Sequence, residues 1–373
     1  MNSLPPLSRR ATSLAIPILM LTVLGVGHAA GDGLTININP GPGLLGNQAA
    51  LDAFNRAANT WSTRIDDDIV VNIDADLIDL GAGSTIGQTS SSDFIATEPN
   101  EFRDVMVADA ADEPDDTIVS FLPDMADYTA ILPDGFSVAR LPLQEGGQAL
   151  MSATRANLKA LGFPAALLDS FDDGAADGTI NFNSQFSFDF DNSNGVDFDK
   201  IDFESAAAHE IGHALGFISI VDDIDALVDQ SLTGTVYPTT LDVFRFENGV
   251  VGHDPSTAAE FQSFPRYLLP GGSAITDQIW GIGESDAELP MSTGAFTGDG
   301  NQASHWLDDS LNQSVMIGMM DPSIAFGQTF TVTDADLRAL DLIGYEIAVP
   351  EPSTFLLSIL GLGLLAWRWW RRR

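Results

Sequence analysis

The sequence predicts an α+β fold: a mixed, twisted sheet with helices packed on it, one helix dense in ionisable side chains, and a helical C-terminal subdomain. Three observations carry this expectation. A strand pattern, an amphipathic helix and a second strand pattern follow one another between Leu34 and Ile73, the order of a crossover unit. A phenylalanine-rich stretch with a period of two leads into an Ala-rich helical stretch that begins near residue 202. A further amphipathic helical pattern closes the body of the chain at residues 334–344.

Taken in order, Leu34-Thr-Ile-Asn-Ile-Asn39 alternates as a strand does, and Pro40-Gly-Pro-Gly43 breaks it. Between Asn47 and Trp61, the residues Leu51, Phe54, Ala57, Ala58 and Trp61 fall on one helical face. Ile69-Val-Val-Asn-Ile73 is the second strand. Glu98 to Asp116 is acidic and poor in large apolar residues, and reads as an exposed loop or as a cation site. A third helix is expected between Gln148 and Leu161. Phe182, Phe186, Phe188 and Phe190 occupy alternate positions of Asn181–Phe190, the pattern of a strand with one buried face, and Asp191–Gly195 is its closing turn. The acidic run from Asp189 to Asp199 fails as an EF-hand, which needs Gly at its sixth place and Glu at its twelfth, where this chain has Asn194 and Lys200, and it reads as a polar turn or as a calcium site of another kind. Leu337, Leu340 and Ile343 share one face of the last helix, and Tyr345–Val349 follows it.

Composition removes whole classes of function. The 373 residues hold 53 acids against 16 bases, a net charge of −37, and no cysteine. Phosphate backbones repel such a surface, so nucleic acid is not a partner. Without thiols there are no disulfides, no thiolate metal sites and no cysteine nucleophile. A hydrophobic content of 45% with 22 Phe is enough for a packed core.

The two ends read as export signals. Arg9 and Arg10, the apolar run Leu14–Val26 and the small residues Gly27–Ala30 have the order of a secretory signal peptide, residues 1–30. At the other end, Val349-Pro-Glu-Pro-Ser-Thr354 precedes an apolar stretch, expected as a membrane-spanning helix over 355–370, and a basic end, Trp367-Arg-Trp-Trp-Arg-Arg-Arg373. Residues 349–373 resemble the PEP-CTERM sorting signal of Gram-negative bacteria. That resemblance implies an exported protein that is anchored transiently in the inner membrane, then cut near the Pro-Glu-Pro by an exosortase-type enzyme and placed at the cell surface or outside the cell; a plain membrane anchor is the alternative. Between the signals, residues 31–350 keep 52 acids and 10 bases, a net charge of −42, which suits a soluble extracellular body with Ca2+ as a neutralising ion.

The chemistry concentrates in Ser205-Ala-Ala-Ala-His209-Glu210-Ile-Gly-His213-Ala-Leu-Gly216. Asp202 is placed to cap this helix and Gly216 to stop it. His209 and His213 stand four apart, so both imidazoles project from one face and can grip one ion, while Glu210 can act on a water at the open coordination position. This is the His-Glu-x-x-His pattern of zinc hydrolases. Two histidines do not complete such a site, and the third ligand is open between His305, His253 and a carboxylate among Asp222, Asp223 and Asp225.

In compact metzincins the third ligand lies six residues after the second histidine, and Ser219 stands there. Ala303-Ser304-His305-Trp306, with Met319-Met320-Asp321-Pro322 further on, instead resembles the leishmanolysin-like metzincins, in which a long insertion precedes a Ser-His-Trp third ligand and a Met-x-Pro turn. The resemblance covers these motifs only, and the disulfides of that family are absent; the chain is also similar to bacterial exported metalloproteases with a PEP-CTERM tail. It implies a metzincin-like catalytic domain over 31–348 with an insertion at 218–304, zinc (Zn2+) held by His209, His213 and His305, Glu210 as general base, and Met320 in the Met-turn, where Met316 and Met319 are competitors. It further implies a zinc-dependent endopeptidase with a protein or peptide substrate, which the Phe-rich strand would pair along its edge. Two other readings share the residues: a non-catalytic cell-surface or matrix protein with a structural zinc, and a zinc amidase or glycan-modifying hydrolase. Whether a prosegment lies near residues 31–45 is open.

Overall fold

The computed structural model describes residues 33–91, 104–108, 132–133, 135–138, 150–164, 168, 176–244, 266–267 and 289–348. The signal segment, His253, most of the 98–116 stretch, most of the insertion beyond residue 244, and the tail 349–373 with its apolar stretch all lie outside these residues. Among the described residues, no helix is long and apolar enough to cross a membrane.

The architecture is mixed α/β, built on one mixed sheet. Strand β1 (Thr35–Pro40) is followed by a short helix α1 (Pro42–Leu45), helix α2 (Gln48–Ser62) and strand β2 (Val70–Ile78), which pairs parallel with β1. This is the expected crossover unit, with β2 longer than expected. Asn47 caps α2 by accepting from Ala50 N, and Ala50, Ala53, Phe54, Ala57, Ala58 and Trp61 form its buried face. Within the 31–45 stretch, Thr35–Pro40 is woven into the sheet.

Strand β3 (Gly87–Ser91) then runs out along the sheet, followed after a short β4 (Ser137–Val138) and helix α3 (Arg155–Ala160) by β5 (Gly178–Asn183). The strand order is β1-β2-β5-β3, with β5 parallel to β2 and β3 antiparallel to β5. Helix α3 starts later than the sequence suggests, because Thr154 adopts extended backbone and caps it by accepting from Asn157 N, while Ser152 bridges to Thr239. Residues 104–108 are helical, not loop, and bury Met106. Asp177, at the entry to β5, is buried between Arg155, Lys159 and the Asn72 amide, and fastens α3 to the sheet.

The Phe-rich segment is not one strand. β5 ends at Asn183, whose side chain accepts from Gln185 N and donates to Gly81 O, turning the chain. A separate two-residue strand β6 (Phe188–Asp189) pairs with β7 (Ile201–Asp202). The even spacing survives the turn because the rings meet at one cluster: Phe182, Phe188 and Phe190 each lie within 4.7–5.1 Å, centroid to centroid, of Phe203. Between β6 and β7 the carboxylate of Asp189 accepts from Asp191 N and Asp197 N, so this acidic run closes on itself as a turn.

Helix α4 (Phe203–Leu215) lies under the sheet beside α2. Its Ala206, Ala207 and Ala208 are buried, and Trp61 Nε1 on α2 donates to Ala208 O at 2.9 Å, a buried hydrogen bond that ties the two helices together. Helix α5 (Val221–Asp229) and short strand β8 (Thr235–Val236) follow. Then come β9 (Arg266–Tyr267) and β10 (Pro290–Met291), which pair with each other, and α6 (Asp334–Leu342). The C-terminal part is more loop than helix: between β10 and α6 the described residues form turns and bridges, and among the described residues α6 is the one α-helix after α5. Residues 345–348 add no strand; Ile347 makes an isolated bridge to Ile65.

Candidate metal centre

Helix α4 ends as its sequence dictates. Asp202 accepts from Glu204 N at its start, and Gly216 stops it with φ of 128°, a conformation that side-chain-bearing residues avoid. The stop sends the chain to Ser219 and α5 on the same side as the two histidines.

His209 and His213 project from one face of α4, and His305 reaches them from the 301–307 loop. The three Nε2 atoms are 3.1, 3.2 and 3.2 Å apart. Each Nδ1 faces a backbone carbonyl: Met319 O at 2.9 Å for His209, Phe217 O at 2.7 Å for His213 and Gln302 O at 3.0 Å for His305. Carbonyl oxygens only accept, so each Nδ1 carries the proton and each Nε2 turns a lone pair towards the other two. Three lone pairs that converge without a proton between them can hold a cation. Three nitrogens at ~2.0–2.1 Å from one tetrahedral zinc would stand ~3.3 Å apart, close to the observed spacing, so the residues fit this ion. Burial pushes all three imidazoles below their usual range, His213 to about 3 with help from neighbouring His209, so all are neutral at pH 7. Among the described residues no other His, Asp or Glu joins this group.

Glu210 is buried beside the histidines. Thr89 Oγ1 on β3 donates to its Oε2 at 2.6 Å and lies 2.9 Å from its backbone carbonyl. Gly87, two residues earlier on the same face of β3, leaves room for the carboxylate: a Cβ there would come within 2.7 Å of Glu210 Oε1. Burial pushes the Glu210 carboxyl up to about 7, and the Thr89 hydrogen bond partly opposes this. Neither Thr89 nor Gly87 was singled out by the sequence, because Gly87-Gln-Thr-Ser-Ser91 has no apolar alternation to mark it as a strand.

The sheet edge near the site is β3, not the Phe-rich strand. β5 is enclosed between β2 and β3 and has no free edge. Asn183 N donates to Ile86 O, so by antiparallel alternation Gln88 and Ser90 pair with β5, while Gly87, Thr89 and Ser91 turn their backbone N–H and C=O groups away from it.

Beneath the histidines Met320 is fully buried with its sulfur against α4, where a Cβ on Gly212 would come within 2.4 Å of it. Met319 is buried too and supplies the carbonyl to His209; Met316 is half-buried. Gly212→Ala is therefore expected to destabilise the fold by about 1–3 kcal/mol through overpacking, and by distinctly less in a Met320→Ala background. Equal losses in the two backgrounds, measured by denaturant unfolding, would refute that packing.

One carboxylate the sequence did not flag organises the floor. Asp336, fully buried in the first turn of α6, accepts from Trp306 Nε1, Met319 N, Met320 N and Thr333 N at 2.8, 2.7, 3.2 and 2.8 Å. Its visible signal was the capping box, in which Thr333 and Asp336 cap each other. The acidic ligand candidates are otherwise employed. Asp222 accepts from Ala303 N and Ser304 N, and Asp225 from Phe296 N and Thr297 N. Asp223 is exposed on α5. Ser219 donates its hydroxyl to Asp242 and its amide to Ser304 Oγ. A second acidic group, Asp308, Asp309 and Asp321, adjoins the Met320 turn; burial pushes Asp321 up to about 6, while hydroxyls of Ser310 and Ser323 satisfy Asp308.

Comparison with known proteins touches only the tail. Residues 348–373 match the PEP-CTERM protein-sorting motif. The motif marks the chain as an exported protein of a Gram-negative bacterium, recognised by an exosortase-type sorting enzyme and processed at its C-terminus. No curated protein and no solved structure matches the chain.

Proposed function

We propose that this exported protein is a zinc-dependent endopeptidase of metzincin type, with His209, His213 and His305 as zinc ligands and Glu210 as general base. The observation that carries the reading is the convergence of three Nε2 lone pairs, each fixed by an Nδ1–carbonyl hydrogen bond, beside a buried carboxylate. A purely structural zinc ordinarily takes a fourth protein ligand, and it has no use for a neighbouring base.

When bound, zinc polarises a carbonyl and lowers the pKa of a coordinated water towards ~7. The chain's own groups do the rest. Glu210 accepts the proton of the attacking water at the carboxylate oxygen that Thr89 does not hold, and returns it to the leaving amine. Thr89 keeps the carboxylate in place and Gly87 keeps its pocket open. An extended peptide pairs with the outward N–H and C=O groups of Gly87, Thr89 and Ser91, which brings its backbone alongside the histidines. Met320 supports α4 from below without touching the substrate.

Proteolysis of casein by the purified exported body is expected, with loss on chelation, recovery on adding zinc, and an unchanged far-UV CD spectrum throughout. Unfolding on chelation, with no proteolysis in any state, would instead favour the zinc-stapled surface protein.

A further inference from the structure

Resting on the zinc reading above, we infer that Asp222 is the positioning residue for the third histidine. His209 and His213 are held by a helix, whereas His305 sits on a loop with no regular structure of its own. A loop ligand must be fixed from outside to meet an ion at the distance the other two define.

Asp222 provides this restraint from the first turn of α5. One of its oxygens accepts from Ala303 N and the other from Ser304 N and Ser304 Oγ, the groups immediately before His305. Ser304 Oγ in turn accepts from Ser219 N at 2.9 Å. Two adjacent amides that point the same way need a two-oxygen acceptor, and a carboxylate is the side chain with that shape. The connection behind it is short and stiff: α4 ends at Leu215, Gly216 turns, Asp242 holds Ser219 and Ile220, and α5 begins at Val221. The helix that carries two ligands thus dictates, through Ser219 and Asp222, where the third one stands. Downstream, Trp306 N donates to Met320 O, so His305 is fixed on both sides.

The test uses the whole exported chain. Asp222→Ala is expected to weaken zinc affinity about 10–100-fold, the usual cost of losing an outer-shell partner, and to change the visible d–d absorption of the Co2+-loaded protein as His305 leaves or distorts the site. Ser304→Ala removes the bridging hydroxyl but spares the two backbone bonds, and is expected to move both readouts the same way by a smaller amount; it carries the test if Asp222→Ala does not fold. Zinc affinity and a Co2+ spectrum equal to wild type in both variants would overturn the role of Asp222. A wild-type chain that takes up neither ion would overturn the zinc reading itself, and this inference with it.

Discussion

Glu210→Gln is expected to lower kcat/KM for peptide hydrolysis by about 10²–10⁴-fold, the usual worth of a positioned general base, while zinc content stays at the wild-type level. The amide matches the carboxylate in size, fits the space that Gly87 leaves and can still accept from Thr89, so the site keeps its shape. What is lost is the capacity to take a proton. The fall should appear in kcat more than in KM, because in the proposed binding mode the peptide is held by the β3 edge and not by Glu210. Activity within a few-fold of wild type at full zinc occupancy would remove Glu210 from the mechanism.

The largest effect on the fold is expected from Asp336→Ala. A single buried carboxylate receives four N–H donors, from Trp306, Met319, Met320 and Thr333. At about 1–3 kcal/mol for each buried donor left without an acceptor, the loss is at least ~4 kcal/mol, a large share of the roughly 5–15 kcal/mol by which a domain is stable. Asp336→Asn keeps one accepting oxygen and turns an NH2 group towards the Met319 and Thr333 amides, so it too should destabilise, by less. Because the carboxylate joins the segment after His305 to the Met320 turn, zinc affinity should fall along with the unfolding midpoint. An Asp336→Ala midpoint equal to wild type in urea would show that these hydrogen bonds do not hold the floor of the site.

Much of this was legible in the residues, and what escaped has physical reasons. The ends of α4 follow from Asp202 and Gly216, because caps and stops are local chemistry. His209 and His213 share a face by helical period alone. The residues that surround them were harder to see. Asp222 on α5 is a ligand candidate by sequence, yet it accepts from backbone amides of the loop that carries His305; a carboxylate near a metal motif looks identical in sequence whichever group it faces. Thr89 and Gly87 lie on a polar edge strand, where no buried face imposes a pattern. The phenylalanine alternation mimics one strand, since a turn that returns its rings to the same cluster leaves the period intact.

X-ray absorption at the zinc edge, on the zinc-loaded exported chain and on its His305→Ala variant, tests the three-histidine centre. One zinc per chain with three imidazole nitrogens at ~2.0–2.1 Å and a light-atom fourth ligand is expected, falling to two imidazoles in the variant. No stoichiometric zinc, or a first shell that His305→Ala leaves unchanged, would contradict it.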